Sequence, residues 1–366
     1  MTYIFFAITL FILSIYSWGF VDPNMPFVHV PVMHKLVFME GALSSVIYVG
    51  LLLSLFGWFW YFWRRAATKQ LSIRQLCIYL GILVGILFLS FPAFSNDIFN
   101  YIATAKVTYQ YHENPYIVMP IDIPNEPMLH FLQAANKTAL YGPTWILVTY
   151  VPYVLGGNNL LVTMYTFKFV AVFFYFALIW LIWRVTKRFT AVVFFAFNPL
   201  VIVDTLVDAH NDVVMMSLAL AAFYVLQKKK YVWAVVLLCL SILVKGATLF
   251  LVPVFVYAWW KQHKKTFDWE YVWTIASYSM FAIFLLSPIR EEIYSWYFIW
   301  VLTFVSLRKR WDIVTVVALA FTFGLPLRFL PFVYSRSWEG VTPLIKKIVT
   351  FVPPVISGLA YKYAHR

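Results

Sequence analysis

A chain of 366 residues that is 63% hydrophobic and only 12% charged lies far from the roughly 45–50% and 25% of an average globular protein. A soluble fold cannot hide so much apolar surface, so a water-soluble protein is excluded and an integral membrane protein is expected. The 28 Lys and Arg against 15 Asp and Glu give a net charge of +13. These basic residues cluster between apolar runs, where they set membrane orientation, and nucleic acid is therefore excluded as a partner.

Crossing roughly 30 Å of hydrocarbon as a helix takes about 17–25 apolar residues. The first such run, near 3–21, has no basic flank before it and no small-residue cleavage signal after it. It reads as a retained helix rather than a removed leader. Further runs lie near 41–63, 76–93, 160–183, 189–208 and 211–227. The stretch from Tyr231 to Trp260 is cut in two by Lys245-Gly246, and runs near 270–288, 293–307, 311–331 and 343–362 complete the series. The expected fold is all-α, a polytopic transmembrane helical bundle of about twelve helices, with 1–366 as a single integral membrane domain. Cys77 and Cys239 both sit inside apolar runs and suggest neither a disulfide framework nor a metal site.

The basic clusters order this bundle. Arg64-Arg65 through Lys69, Arg184 to Arg188, Lys228 to Lys230, Lys261 to Lys265, Arg308 to Arg310 and Lys362 to Arg366 share the cytoplasmic side if both termini are cytoplasmic and twelve helices cross. One apolar segment, Thr144 to Leu155, is short and contains Pro152. It is expected to lie at the outer surface rather than span. Residues 95–159 then form one outer, extracytoplasmic loop with interfacial amphipathic helices inside it. Long loops on a rigid scaffold are where function concentrates.

Acidic residues are scarce, so their positions carry information. Asp97 lies in Ser95-Asn96-Asp97-Ile98-Phe99-Asn100-Tyr101, four residues from Tyr101 and on the same face if the segment is helical. The competing reading makes it a helix cap. The same loop holds His112, Glu113, Asn114-Pro115-Tyr116 and Tyr141-Gly142-Pro143, where Pro and Gly also serve as turn punctuation. Near 198–212, Pro199 should kink its helix. Asp204, Asp208, His210, Asn211 and Asp212 follow close to the outer interface. Asp204, Asp208 and Asn211 would share a helical face, and acids at membrane depth usually face the protein interior. A water-exposed turn accounts well for Asp212 and poorly for Asp204. His210 between two carboxylates could hold a divalent metal, but the set is too sparse to predict one, and no cofactor is expected.

Lys245 stands at an outer turn among apolar neighbours, where an ammonium suits a phosphate or snorkels toward headgroups. Arg290, Arg328, Arg336, Lys346 and Lys347 are also expected outside, mostly as headgroup contacts. A carboxylate in the outer loop facing cations at the mouths of apolar helices suits a reaction that removes a proton and releases a phosphate.

Five places then carry a resemblance, in order along most of the chain. They are the Asp of Ser95 to Tyr101; Asn114-Pro115-Tyr116; Tyr141-Gly142-Pro143 with its short apolar helix; Asn198-Pro199-Leu200 leading to Asp208-Ala209-His210-Asn211-Asp212; and Trp296-Tyr297 with Trp300. In these the chain resembles the polytopic GT-C glycosyltransferases, in particular bacterial and archaeal hexosyl- or mannosyltransferases that use polyprenyl-phosphate sugars. The resemblance implies an enzyme of the cell membrane that transfers a hexose, mannose first among them, with inversion, from a polyprenyl-phosphate donor. The acceptor would be a hydroxyl of a glycan, lipid or protein on the extracytoplasmic side. Asp97 would be the general base, and the helix after Tyr141-Gly142-Pro143 would be a jaw helix on the membrane surface. Substrate contacts are expected from Tyr101, Asn114, Tyr116, Tyr141, Asp204, Asp208, His210, Asn211, Asp212, Lys245, Arg290, Trp296 and Tyr297. The chain departs from the pattern in carrying Asp204 where Glu is expected and Ala209 where Gly is usual. It also places two helices before the one that leads into the loop, whereas many relatives place the loop after their first helix.

The alternative is a flippase or transporter of a lipid-linked sugar. Transporters often show inverted repeats and midplane polar residues, whereas here the acids lie toward the outer end and no repeat is visible. A polymerase with a large outer loop would be expected to rely on arginines there, and residues 95–159 contain only Lys106 and Lys137 as basic chain charges.

Overall fold

The computed structural model describes residues 1–366 except Asn24, Gln133, Arg290, Glu291 and Arg366; Arg290 therefore lies outside the described residues. All regular structure among those residues is helical. In chain order, α1 (Thr2–Ser17), the short α2 (Pro31–Val37), α3 (Gly41–Ala67) and α4 (Ile73–Leu87) precede the long loop of residues 95–159. That loop contains α5 (Asp97–Tyr109) and α6 (Pro143–Gly156). Then come α7 (Leu160–Thr186), α8 (Phe189–Ala196), the stub α9 (Pro199–Val201), α10 (Asp212–Gln227), α11 (Tyr231–Ile242) and α12 (Val252–Lys261). The chain continues through α13 (Trp269–Leu286), α14 (Phe298–Val305), α15 (Ile313–Gly324), α16 (Leu330–Ser335) and α17 (Thr342–Ala364).

Each of the twelve expected apolar runs carries a helix, but the helices are of two kinds. Among the described residues six are long and apolar enough to cross a bilayer: Thr2–Phe20, Gly41–Ala67, Leu160–Thr186, Trp269–Ile289, Ile313–Ser335 and Thr342–Ala364. A seventh candidate is the pair Phe189–Ala196 and Pro199–Val207, bent by 51° where Asn198-Pro199 interrupts the ladder, as a ring without an N–H requires. The remaining five are shorter, at 10–17 residues. The Lys245 break splits its run into α11 and a 3₁₀ segment, Gly246–Leu251, that leads into α12.

Polar residues at helix starts are spent on caps. Asn159 accepts from the Val162 N–H at 3.1 Å, Asp312 from Thr315 at 3.2 Å, and Ser72 with Gln75 forms a reciprocal capping box. Each satisfies donors that a helix N-terminus leaves without partners. The centre of the bundle is α10, packed against α7, α11 and α14. Its Phe223 is fully buried and meets Phe255, Trp273 and Phe304 edge-on. The peripheral helices instead expose large apolar side chains, such as Phe169, Phe173 and Trp180 of α7 and Val46 and Leu53 of α3. An outer surface of this kind belongs against lipid.

The 95–159 loop is pinned from within. Lys106, on α5, donates to Glu126 at 2.5 Å; Tyr111 also donates to Glu126, and the Met128 N–H does so at 2.8 Å. Burial alone would raise the Glu126 carboxyl, but these three donors hold it below its ordinary value of 4.5. A carboxyl lowered in the folded state adds stability above that ordinary value, and the contribution is lost as pH falls through the folded one. Removing one member of a buried pair costs about 3–5 kcal/mol, because the other charge is left unpaired. Glu126→Gln should therefore lower the thermal midpoint and open the loop to limited proteolysis at neutral pH. The unaltered protein should show the same loop exposure only when acidified below 4.5; equal protease resistance of the two at neutral pH would contradict this.

Candidate active site

A cavity of about 2010 Å³ opens beside the loop of residues 95–159, and its lining includes Asp97, Tyr141, Asp204, Lys245, Trp296 and Tyr297. Five breaks in regular structure bring them together: the starts of α5 and α6, the bend after α8, the α11–α12 break, and the turn before α14.

Asp97 is the first residue of α5. Asn96 occupies the cap position without a side-chain capping bond, so Asp97 does not cap. Its carboxylate turns toward the cavity, with 21% of the side chain exposed, and its Oδ2 lies 3.4 Å from His210 Nδ1. Burial works to raise the Asp97 carboxyl, yet the His210 imidazole, the Lys245 ammonium and the Tyr141 hydroxyl hold it below its ordinary 3.8. The carboxyl is therefore ionised at neutral pH.

Behind Asp97 lies the bend that follows Pro199. Ile202–Val207 is a π-helical segment, a wide turn that often marks functional sites. Ala209 then adopts φ +58°, and the His210 N–H closes the turn on the Asp204 carbonyl at 3.0 Å. Glycine adopts this left-handed conformation at no steric cost, whereas Ala209 holds it with a Cβ in place. The expected helical face of Asp204, Asp208 and Asn211 is therefore not formed. The helix ends before Asn211, and Asp204 and Asp208 converge with His210 instead. Ligand atoms of these three buried residues lie within 4.8 Å of one another, close enough to hold a metal ion. Ser295 donates to Asp204 Oδ1 at 2.8 Å, and the Phe94 N–H donates to Asp208 Oδ1 at 3.0 Å. Trp296 stacks on His210 with ring centroids 3.9 Å apart.

Asp212 differs from its expected place in a water-exposed turn. Its side chain is fully buried and paired with Lys245 at 3.2 Å, and Trp300 Nε1 donates to it at 2.5 Å. Lys245 accordingly points inward rather than snorkelling. Its ammonium lies 4.3 Å from the Tyr297 ring centre, a cation–π contact at the cavity wall. Arg328 and Lys346, expected at headgroups, both pair with Glu292.

Other expected contacts stand elsewhere. Tyr101 is fully buried and accepts the Asn211 N–H at 3.2 Å, so it is a pillar behind the site. Asn114 and Tyr116 are exposed and lie outside the cavity lining. Asn114 accepts the Tyr116 N–H, and the Tyr116 hydroxyl donates to the Tyr141 carbonyl at 3.0 Å. The Asn-Pro-Tyr turn thus braces the segment that carries Tyr141. The sequence reading missed Lys168, a buried lysine in α7 that donates to the Ser90 carbonyl at 2.6 Å, the Ser90 hydroxyl at 2.7 Å and the Leu87 carbonyl at 3.0 Å. A lone lysine inside an apolar span was the available signal.

Gly142 fixes α6 to the α11–α12 break. Its N–H bonds the Val244 carbonyl and the Thr144 N–H bonds the Leu243 carbonyl, both at 3.0 Å. A Cβ on Gly142 would stand 2.1 Å from the Leu243 oxygen, so only glycine permits this approach.

The family described as alpha-(1->6)-mannopyranosyltransferase, N-terminal domain, matches residues 4–261, and the chain belongs to it. Over 246 residues it is 26% identical to the protein named alpha-(1->6)-mannopyranosyltransferase A of Mycobacterium tuberculosis (strain ATCC 25618 / H37Rv). That match covers 65% of this chain and 47% of the relative, so the chain spans about half the length of the relative it matches. No solved structure matches it.

Gly142→Ala should force α6 away from the Lys245 break, an overpacking cost of about 1–3 kcal/mol, visible as a lowered thermal midpoint. Gly85→Ala, where a Cβ meets nothing within 4 Å, should leave the midpoint unchanged or raise it. Equal midpoints for the two variants would refute the close-approach role.

Proposed function

We propose that this chain transfers a mannose from a polyprenyl-phosphate donor to an acceptor hydroxyl on the extracytoplasmic side, with inversion, and with Asp97 as general base. The observation that carries the proposal is the Asp97 carboxylate, held ionised at the wall of the large cavity. The family match supplies the sugar. The hydroxyl proton goes to Asp97 as the acceptor oxygen bonds the anomeric carbon. The bond from that carbon to the phosphate oxygen breaks with its electron pair, and the polyprenyl phosphate leaves. Attack opposite the leaving group turns a β-linked donor into an α-linked product, which agrees with the linkage in the family's description. Lys137, Arg336 and Lys347 line the same cavity and bring positive charge toward the phosphate, and Lys245 adds its charge from the wall while paired with Asp212. Trp296, stacked between His210 and Tyr294, and Tyr297, stacked on Trp300, form the cavity wall beside the sugar.

Positioned general-base catalysis contributes about 10²–10⁴-fold. Asp97→Asn keeps the side-chain shape and cannot take the proton. In detergent it should bind a polyprenyl-phosphate mannose as tightly as the unaltered protein and release polyprenyl phosphate at least about a hundredfold more slowly. Near-native release would remove Asp97 from the chemistry. Movement of the donor across sealed vesicles without release would favour the transporter reading. The side of the membrane is checked separately in a background with Cys77 and Cys239 replaced by serine. Cysteine at Asn136 should react with an impermeant thiol reagent from outside intact cells and cysteine at Lys264 should not; the reverse pattern would place the cavity in the cytoplasm.

A further inference from the structure

Asp204, Asp208 and His210 are each at least nine-tenths buried, with 3%, 1% and 0% of their surface exposed. Each carboxylate has one oxygen engaged, by Ser295 and by the Phe94 N–H. The second oxygens, Asp204 Oδ2 and Asp208 Oδ2, have no hydrogen-bond partner among the described residues. Neither ring nitrogen of His210 makes a hydrogen bond of good geometry. Buried carboxylates are paired with cations or coordinate metals, since an uncompensated charge in an apolar bundle is too costly. Lys168 is already engaged with the oxygens of Leu87, Ser90 and Val207. Lys245 is engaged with Asp212.

We propose that Asp204, Asp208 and His210 together bind one divalent transition-metal ion of the Zn²⁺ or Mn²⁺ type. Mixed imidazole and carboxylate donors suit these ions, whereas Mg²⁺ and Ca²⁺ prefer oxygen alone. The ligand atoms already lie within 4.8 Å of one another, so closing on an ion at about 2.0–2.2 Å needs only small side-chain rotations. The surroundings of His210 fit as well. Its Nδ1 faces Asp97 Oδ2 at 3.4 Å, which leaves Nε2 for the metal. A metal-bound histidine usually gives its other ring N–H to a carboxylate. Trp296, stacked on the ring, fixes its plane. The ion would hold His210 in the tautomer that keeps a proton directed at Asp97, and the metal ligands would act as positioning residues for the base. This assignment rests on the buried cluster and not on the sugar or the donor.

The full chain, purified in detergent through a tag without histidines and stripped with a chelator, is dialysed against Zn²⁺ or Mn²⁺ alone. Elemental mass spectrometry should find about one ion per chain, and the thermal midpoint should rise on loading, since an ion bound only by the folded state stabilises it. Asp208→Asn and His210→Gln should each retain at least about tenfold less metal at the same free concentration and lose the rise in midpoint. Asp204→Asn replaces either variant that does not fold. Substoichiometric metal in the unaltered chain with both ions, no rise in its midpoint on loading, or equal retention by folded variants would overturn the site. Those outcomes would leave the three residues as a hydrated polar pocket.

Discussion

Asp212 is a carboxylate with no exposure to solvent, seated in the first turn of α10 at the centre of the bundle. A carboxylate there requires compensation, and it comes from Lys245, at the α11–α12 break, and Trp300, in the first turn of α14. The helix N-terminus adds its own partial positive charge. Through this one requirement the start of α10, the α11–α12 break and the start of α14 are drawn to a common point. Gly142 then fastens the start of α6 to the same break, and the ring of Tyr101, on α5, packs on Tyr141 at 4.8 Å. The cavity exists where it does because irregular backbone and charge have been gathered at one end of an otherwise apolar assembly.

The gathering follows from membrane physics. A regular helix satisfies its own backbone, so bends and turns are tolerated only where protein or a water-filled cavity meets the freed groups. The bend at Asn198-Pro199 is repaired locally: Asn198 Oδ1 accepts the Leu200 N–H at 3.0 Å. The π-helical segment and the left-handed Ala209 that follow turn two acids and an imidazole inward rather than toward lipid. Departure from regularity and functional chemistry thus coincide over 198–212.

Much of this was legible in the sequence, for identifiable reasons. Apolar runs announce helices because hydrophobic length is a direct physical requirement, and the kink at Pro199 follows from a missing N–H. Asp97 and Trp296-Tyr297 stood out because charges and paired aromatics are conspicuous in such a chain, and all three line the cavity. Helical spacing failed at Asn211, because a single positive φ at Ala209 ended the periodicity on which the shared face depended. Asn114 and Tyr116 proved to be braces, since spacing cannot tell a side chain that touches a cavity from one that supports its wall. Asp212 could not be placed from sequence either: its partners, Lys245 and Trp300, lie 33 and 88 residues away. Pairings at that separation leave no local signal.

The shortness of α11 has a consequence for the lipid around the protein. Its twelve residues rise about 18 Å, well under the roughly 30 Å of a hydrocarbon core. The segment after the Lys245 break, Gly246–Lys261, is likewise too short to count as a full span. A bilayer meeting such a short apolar face adjusts by thinning locally, at a cost of fractions of a kcal/mol per Å. Beside α11 the headgroup layer would therefore dip toward the level of Lys245. The distance between headgroups and the level of Lys245 would thus be shorter at this edge than along the full-length faces of α3 or α7.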